Sequence, residues 1–311
     1  MAVSRFTDLV GCRLPLQLAG MTRVAGAELA AAVANAGGLG MIGIGRTPLE
    51  GLRATLDRIE SLTDAPVGAT FIVPYLNREL IGEVASRLPV VEFFYGWPDP
   101  ELVAGLPLVG WQVGSTDEAR AAVEAGCAYV VAQGVEAGGH VRGTQPLIGL
   151  IDEVRSAVGV PVVAAGGIGT ASAVHAALAA GADAVRVGTR FVAAAESDAH
   201  PAYVAALVEA SGTDTVITEA FGVGWPDAPH RVLASAVARA EASTKDPVGE
   251  MNVPGQGVMA VPRFGTAPPT TSTTGDIAAM ALYAGLSVDG VHRVQGAAEI
   301  VAELMASGPE G

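Results

Sequence analysis

The fold is read from Val162-Val-Ala-Ala-Gly-Gly-Ile-Gly169, the alanine-rich run Ala171–Ala180, and Ala184-Val-Arg-Val-Gly-Thr-Arg-Phe191. An apolar tetrapeptide without period-2 alternation suits a parallel strand buried on both faces. The glycine pair after it ends the strand and lets the backbone turn into a helix. The second apolar run then ends in Gly188, so the stretch reads as strand, helix, strand.

Outward from this unit the alternation continues. Apolar runs at Leu16–Leu18, Gly40–Ile44, Val67–Val73, Val90–Phe94, Leu108–Val113 and Tyr129–Ala132 precede those at Pro161–Ala165 and Ala184–Val187, making eight strands. Helical patterns lie between them at Ala27–Ala36, Pro48–Ser61, Arg78–Arg87, Pro100–Gly105, Thr116–Ala125, Leu147–Val158 and Ala171–Ala180. Ser115 or Thr116 can cap a helix whose first turn carries Asp117 and Glu118, which complement its dipole. Pro48 falls in a first turn, where its missing N–H costs nothing. Gly126, Gly159 and Gly181 stand where C-terminal caps belong. Eight such units predict an α/β fold of the (β/α)8 TIM-barrel class. An open doubly wound sheet would want Gly-x-Gly-x-x-Gly after its first strand, and Leu16–Thr22 holds one glycine.

Past the eighth strand the pattern changes. Residues 198–275 read as a helical and loop excursion covering the catalytic face, with helices at Pro201–Ala210 and Val232–Thr244 and a loop over 252–276. The barrel is expected over 1–197 and 276–311, closed by helices at Asp276–Ala284 and Ala297–Met305, and the excursion is not expected to fold independently.

Half of the 311 residues are hydrophobic and 16% are charged, with 40 glycines, the profile of a compact α/β enzyme with tightly packed helices. A net charge of −14 argues against a nucleic-acid or anionic-membrane surface. Cys12 and Cys127 provide neither a disulfide framework nor a zinc cluster, and no metal is expected. No run approaches the roughly 18 apolar residues that span a bilayer. The first residues lack a hydrophobic signal core, so a cytoplasmic location is expected.

In such a barrel the chemistry belongs to loops at the C-terminal ends of the strands, with phosphate sites frequent after strands seven and eight. Gly166, Gly167, Ile168 and Gly169, then Gly188 and Thr189, occupy those two places. They can offer backbone N–H groups to an anion. After strand six comes Gln133-Gly-Val-Glu-Ala-Gly-Gly-His140, a loop without bulky apolar side chains that suits close approach to a flat ligand. His140 has the intrinsic pKa for moving a proton, and Gln133 can address a heterocycle edge. Glu136 reads as a surface or orienting carboxylate, and His175, His200, His230 and His292 as structural or solvated. Leu18-Ala19-Gly20-Met21 can set amides and a thioether beside a planar ring. Phe71, Tyr75, Tyr95, Trp97, Phe221 and Trp225 are candidates to line a pocket.

Together, Ala19-Gly-Met21, Gln133–His140, Ala165-Gly-Gly-Ile168, Gly188-Thr-Arg-Phe191 and Ala281-Leu-Tyr-Ala-Gly285 resemble the FMN-dependent nitronate monooxygenases, formerly 2-nitropropane dioxygenases. The flavin-dependent enoyl-acyl-carrier-protein reductases are related and share the histidine loop. The resemblance runs from about residue 13 to 305. It implies FMN, with Ala19, Gly20, Met21, Gln112, Gln133, Gly138 and Gly139 near the flavin ring. Gly166, Gly167, Ile168, Gly169, Gly188 and Thr189 would hold its phosphate, and His140 would be the catalytic base. It further implies oxidation of alkyl nitronates, or nitroalkanes, by O2 to a carbonyl compound and nitrite. The alternative is NAD(P)H-dependent reduction of an enoyl thioester or other activated double bond. A barrel that binds a phosphorylated molecule without catalysis is a third reading. A small-molecule substrate with O2 or NAD(P)H is the expected partner set, and a homodimer is compatible with it. The chain departs from the family pattern at Gly20, often proline; at Ala69-Thr70-Phe71, where an asparagine is usual; and at Gly285-Leu286, elsewhere Gly-Gln. Gln112 stands where some members carry lysine, removing a positive charge from that site.

Overall fold

The computed structural model describes residues 4–253 and 255–306. Its strands are Leu16–Leu18 (β1), Gly40–Ile44 (β2), Val67–Ile72 (β3), Val90–Phe94 (β4), Leu108–Val113 (β5), Tyr129–Gln133 (β6), Gly139–His140 (β7), Val162–Ala165 (β8), Ala184–Val187 (β9), Thr215–Thr218 (β10), His230–Leu233 (β11), Gly249–Val253 (β12), Gly257–Val261 (β13) and Thr273–Gly275 (β14). Eight of them form one parallel sheet in the order β1-β9-β8-β6-β5-β4-β3-β2. The ends meet where Leu18 N–H donates to the Leu39 carbonyl and Leu39 N–H to that of Leu16, at 3.0 and 2.8 Å. The sheet is a (β/α)8 barrel, as the sequence predicts.

The strands are buried on both faces and mostly apolar, because one face packs the interior and the other meets the helices. Leu16, Leu18, Val90, Val91, Val130, Val131, Val162 and Val163 have essentially no exposed surface. Small residues set the spacing. A Cβ on Gly40 would sit 2.2 Å from the Ala30 carbonyl, and one on Gly110 would sit 2.2 Å from the Tyr129 ring. Ser115, rather than Thr116, caps the helix Thr116–Glu124 by accepting from Glu118 N–H. Gly126 and Gly181 follow their helices with φ of +100° and +101°, as caps do. Gly159 does not, because Leu147–Ala157 ends in an extended Val158. Pro48 is the N-cap of Leu49–Leu62, one position before the first turn.

A short helix, Arg5–Val10, has no counterpart in the sequence reading, since six residues are too few to show a period. A Ser4 capping box fixes it, and Phe6 meets Tyr129 edge-on at 5.4 Å from within the barrel core.

The largest departures fall after β9. Residues 252–276, expected as loop, include most of an antiparallel sheet of order β13-β12-β14. Its strands are only three to five residues long, too short to show a clear pattern. Val232 and Leu233 lie in β11, so the following helix is Ala234–Ala242. Residues 276–284, expected as helix, contain one 3₁₀ turn, Ile277–Ala279. Tertiary hydrogen bonds override the alanine-rich propensity there: Leu282 O accepts from Leu233 N–H, and Ala284 N–H donates to Arg231 O. A second hydrophobic cluster, from Ala199 to Val291 with Val24, Val192 and Ala193, lies apart from the barrel core. Within the described residues no helix is long and apolar enough to cross a membrane.

Gly110 is a sensitive point in this packing. Gly110→Ala is expected to destabilise the fold by about 1–3 kcal/mol through overpacking against Tyr129. Denaturant unfolding measures it, and a change within about 0.5 kcal/mol would contradict the close packing.

Candidate active site

A cavity of about 500 Å³ opens at the C-terminal ends of the strands, between the barrel and residues 221–283. That volume lies within the roughly 300–1,000 Å³ typical of small-molecule and cofactor sites. Thirteen of the fourteen site residues named from sequence line it: Ala19, Gly20, Met21, Gln112, Gln133, Gly138, Gly139, His140, Gly166, Gly167, Ile168, Gly188 and Thr189. Gly169 is set back. Its absent side chain makes room for Ser287, whose carbonyl would be 2.5 Å from a Cβ there. Ser287 itself lines the cavity, a contribution that nothing in its local sequence signals.

One end of the cavity is a backbone cradle. Gly166 and Gly167 have φ of +116° and +69°, which turn β8 into the helix Ala171–Ala179, capped by Thr170. Among the described residues no protein acceptor takes the N–H of Gly167, Ile168, Gly188 or Thr189. Unpaired donors grouped at two strand ends suit an anion. A Cβ on Gly188 would come within 3.3 Å of Ala19 Cβ, so this glycine lets the cradle close against the end of β1.

The other end belongs to the histidine loop. Gln133 does not present its amide to a ligand as expected: Nε2 donates to the His140 carbonyl at 2.9 Å, and Oε1 accepts from Arg142 N–H at 3.3 Å. It organises the loop. Glu136 is an orienting carboxylate, accepting from Leu147 N–H at the start of a helix. Gly139 needs its φ of +74°, and nothing lies within 4 Å of where a Cβ would project. The two residues of β7 pair with β11, His140 opposite His230, and this places the imidazole.

The His140 ring stacks on Trp225 with centroids 3.8 Å apart and planes 19° from parallel. Tyr95 meets it edge-on at 5.8 Å, and His230 and Tyr283 approach at 5.2 and 5.7 Å. Nε2 is buried with no hydrogen-bond partner. Burial, with a smaller contribution from His230, pushes the His140 pKa down to about 3. The imidazole is therefore neutral at ordinary pH. His230 is structural, but it is part of this site rather than remote from it. Its Nε2 accepts from Phe221 N–H at 3.2 Å, so Nδ1 carries the hydrogen and donates to Ala228 O at 2.8 Å.

Of the six aromatic candidates, Tyr75 and Trp225 line the cavity. Tyr95 stands behind them, Phe71 and Phe221 are core, and Trp97 is exposed. Sequence reasoning missed Tyr203, Tyr283, Arg23 and Arg186, all of which line the cavity. Arg23 has a signal only in three dimensions, a φ of +69° that is costly for a side chain of its size. Arg186 corrects the expectation that positive charge is lost with lysine from position 112. Its Nη1 donates to Gln112 Oε1 at 2.5 Å, so a cation stands beside that amide. Among the described residues no group of three or more His, Cys, Asp or Glu could hold a metal ion.

A glycine cradle with free N–H donors and a buried imidazole, lining one cavity at the C-terminal face, have the make-up of an enzyme site of the (β/α)8 class. The nitronate monooxygenase family model matches residues 3–80 and 76–307. The chain belongs to the nitronate monooxygenase family. It is 32% identical to a probable nitronate monooxygenase of Staphylococcus haemolyticus, over 70% of this chain and 75% of that one. A counterpart from Staphylococcus aureus strain Newman is 31% identical, over 70% and 76%. FabK from Thermotoga maritima superposes with a TM-score of 0.81 at 32% identity, covering 98% of this chain and 95% of its own. The nitroalkane oxidase of Streptomyces ansochromogenes gives 0.75 at 32%, covering 97% and 96%.

The depressed pKa of His140 has a consequence for stability. In the unfolded chain an ordinary imidazole near 6.5 takes up its proton first, while the native site resists protonation down to about pH 3. This contribution is complete above about pH 6.5 and is lost as pH falls toward 3. Thermal midpoints of the ligand-free protein should therefore fall more steeply between about pH 7 and 4 than those of His140→Gln. Parallel pH profiles for the two proteins would contradict a neutral His140.

Proposed function

We propose that the chain binds FMN and oxidises alkyl nitronates, or nitroalkanes after deprotonation, with O2 to a carbonyl compound and nitrite. The observation that carries this reading is the buried and unpartnered Nε2 of His140 in the same cavity as the anion cradle. The N–H groups of Gly167, Ile168, Gly188 and Thr189 would receive the FMN phosphate. Ala19, Gly20, Met21, Gln112 and Gly139 would border its ring, with Gly138 allowing the loop to pack against Gly285. When bound, FMN supplies the electron transfer between substrate and O2. His140 takes the proton α to a nitro group, or holds the nitronate where it is already an anion. Trp225 and Tyr283 exclude water around the imidazole, which strengthens electrostatic interactions in the site.

The second reading, NAD(P)H-dependent reduction of an enoyl thioester, is favoured by the superposition on FabK, an enoyl-acyl-carrier-protein reductase. It asks His140 to give a proton.

The test is a spectrum of the purified, FMN-loaded protein mixed anaerobically with propyl nitronate. Reduction of the flavin, and nitrite release once O2 is admitted, are expected. A flavin that stays oxidised with nitronate but bleaches with NADPH and is reoxidised by an enoyl thioester would select the second reading. A general base contributes roughly 10²–10⁴-fold. His140→Ala should therefore lower kcat/KM by about that much for a neutral nitroalkane, and by far less for the pre-formed nitronate. Equal losses on both would remove His140 from proton abstraction.

A further inference from the structure

Directly under the cavity the barrel interior holds a charged layer where bulky branched side chains ordinarily pack. Glu92 on β4 has no exposed surface, and Arg186 on β9 is 5% exposed. The two form an ion pair through Arg186 Nη2 and Glu92 Oε2. Arg186 Nε and Nη2 also donate to Gln17 Oε1 at 3.2 and 2.9 Å. Its Nη1 donates to Gln112 Oε1. Glu92 accepts in addition from Thr70 Oγ1 at 2.9 Å, Tyr129 OH at 2.9 Å and Gln17 Nε2 at 3.2 Å. Every charged atom is satisfied, yet a buried ion pair is a poor source of stability, and apolar replacements of similar volume are often as stable or more so.

The pair has a direction. Arg186 and Gln112 line the cavity, whereas Glu92 lies behind them and does not. The positive end of the pair therefore faces the cavity. The backbone of Ala19-Gly20-Met21 rests on the same layer, since a Cβ on Gly20 would be 2.5 Å from Thr70 Oγ1. Resting on the flavin reading above, we propose that Arg186, aimed by Glu92, is the cation that favours the electron-rich, reduced form of the bound flavin ring, so that an ion pair inside the barrel sets its reduction potential. Gln112 is a positioning residue in this arrangement, because it fixes Nη1 without carrying charge.

The experiment is an anaerobic dye-referenced measurement of the bound-flavin potential in the FMN-loaded enzyme and its variants, and it needs no substrate. Glu92→Gln leaves Arg186 uncompensated and should raise the preference for reduced over oxidised flavin at least tenfold. Glu92→Gln combined with Arg186→Gln removes the directed pair without stranding a charge. It should lower that preference about tenfold from wild type, which is about 30 mV for a two-electron couple. A double variant within twofold of wild type overturns the inference. Should the double variant not retain FMN, Glu92→Gln decides alone, and an unchanged or lowered preference overturns it. A wild-type protein that takes up no flavin would overturn the flavin reading itself, whereas flavin-loaded variants with unaltered potentials would overturn only the role of the pair.

Discussion

A carboxylate with no exposed surface has to be compensated where it stands, and Glu92 makes that demand at the centre of the barrel. Its partners come from four other strands: Gln17 from β1, Thr70 from β3, Tyr129 from β6 and Arg186 from β9. Arg186 in turn engages Gln112 from β5. Each is an inward residue of its strand, so the network fixes strand register as well as charge. Small residues around it follow from the same demand. Gly110 leaves the space that the Tyr129 ring occupies, and Gly20 lets the end of β1 settle on Thr70. Burial holds the Tyr129 hydroxyl far above its usual pKa, so it remains a donor to Glu92.

The floor of the cavity is thus polar, and its roof is aromatic. Trp225 and Tyr283 come from residues 221–283, and they desolvate His140. Pairing of β7 with β11 is the mechanical link, because it makes the catalytic-face loop a strand of the covering sheet. Arg231 strengthens the join by donating to Val135 O through Nε and Nη2 at 3.3 and 2.9 Å. The pKa of His140 is therefore a property of barrel and cover together. A barrel strand end alone would leave the imidazole wet and near its ordinary value.

What was legible in the sequence follows the reach of the signals. Strands buried on both faces and capped helices write themselves locally, and Leu16–Leu18, Gly40–Ile44, Val90–Phe94, Leu108–Val113 and Ala184–Val187 match residue for residue. The cradle was legible because backbone conformation selects glycine, as at Gly166 and Gly167. Gly169 shows the limit of that signal, since a glycine admitted for packing on Ser287 looks the same in sequence as one admitted for a ligand. Residues 252–284 escape local reading because long-range bonds organise them, such as that from Leu233 N–H to Leu282 O at 2.9 Å. Arg186 was read only as part of a strand. Its meaning depends on Glu92 and Gln112, which precede it by most of the barrel.

The division between floor and roof also bears on how one barrel can serve different oxidoreductions. The cradle offers unpaired backbone N–H groups, and the charged layer beside it turns a guanidinium toward the cavity. In the function proposed above, the choice between oxygenase and reductase rests on the protonation state of His140, and the aromatic roof over the ring sets that state through desolvation. A roof packed as closely as the 3.8 Å stack of Trp225 on His140 keeps the imidazole unprotonated. Opening it to water would return His140 toward a pKa near neutrality, where the same nitrogen could serve as a donor. The covering segment, whose sequence shows least of its structure, is therefore what sets the environment of the His140 ring.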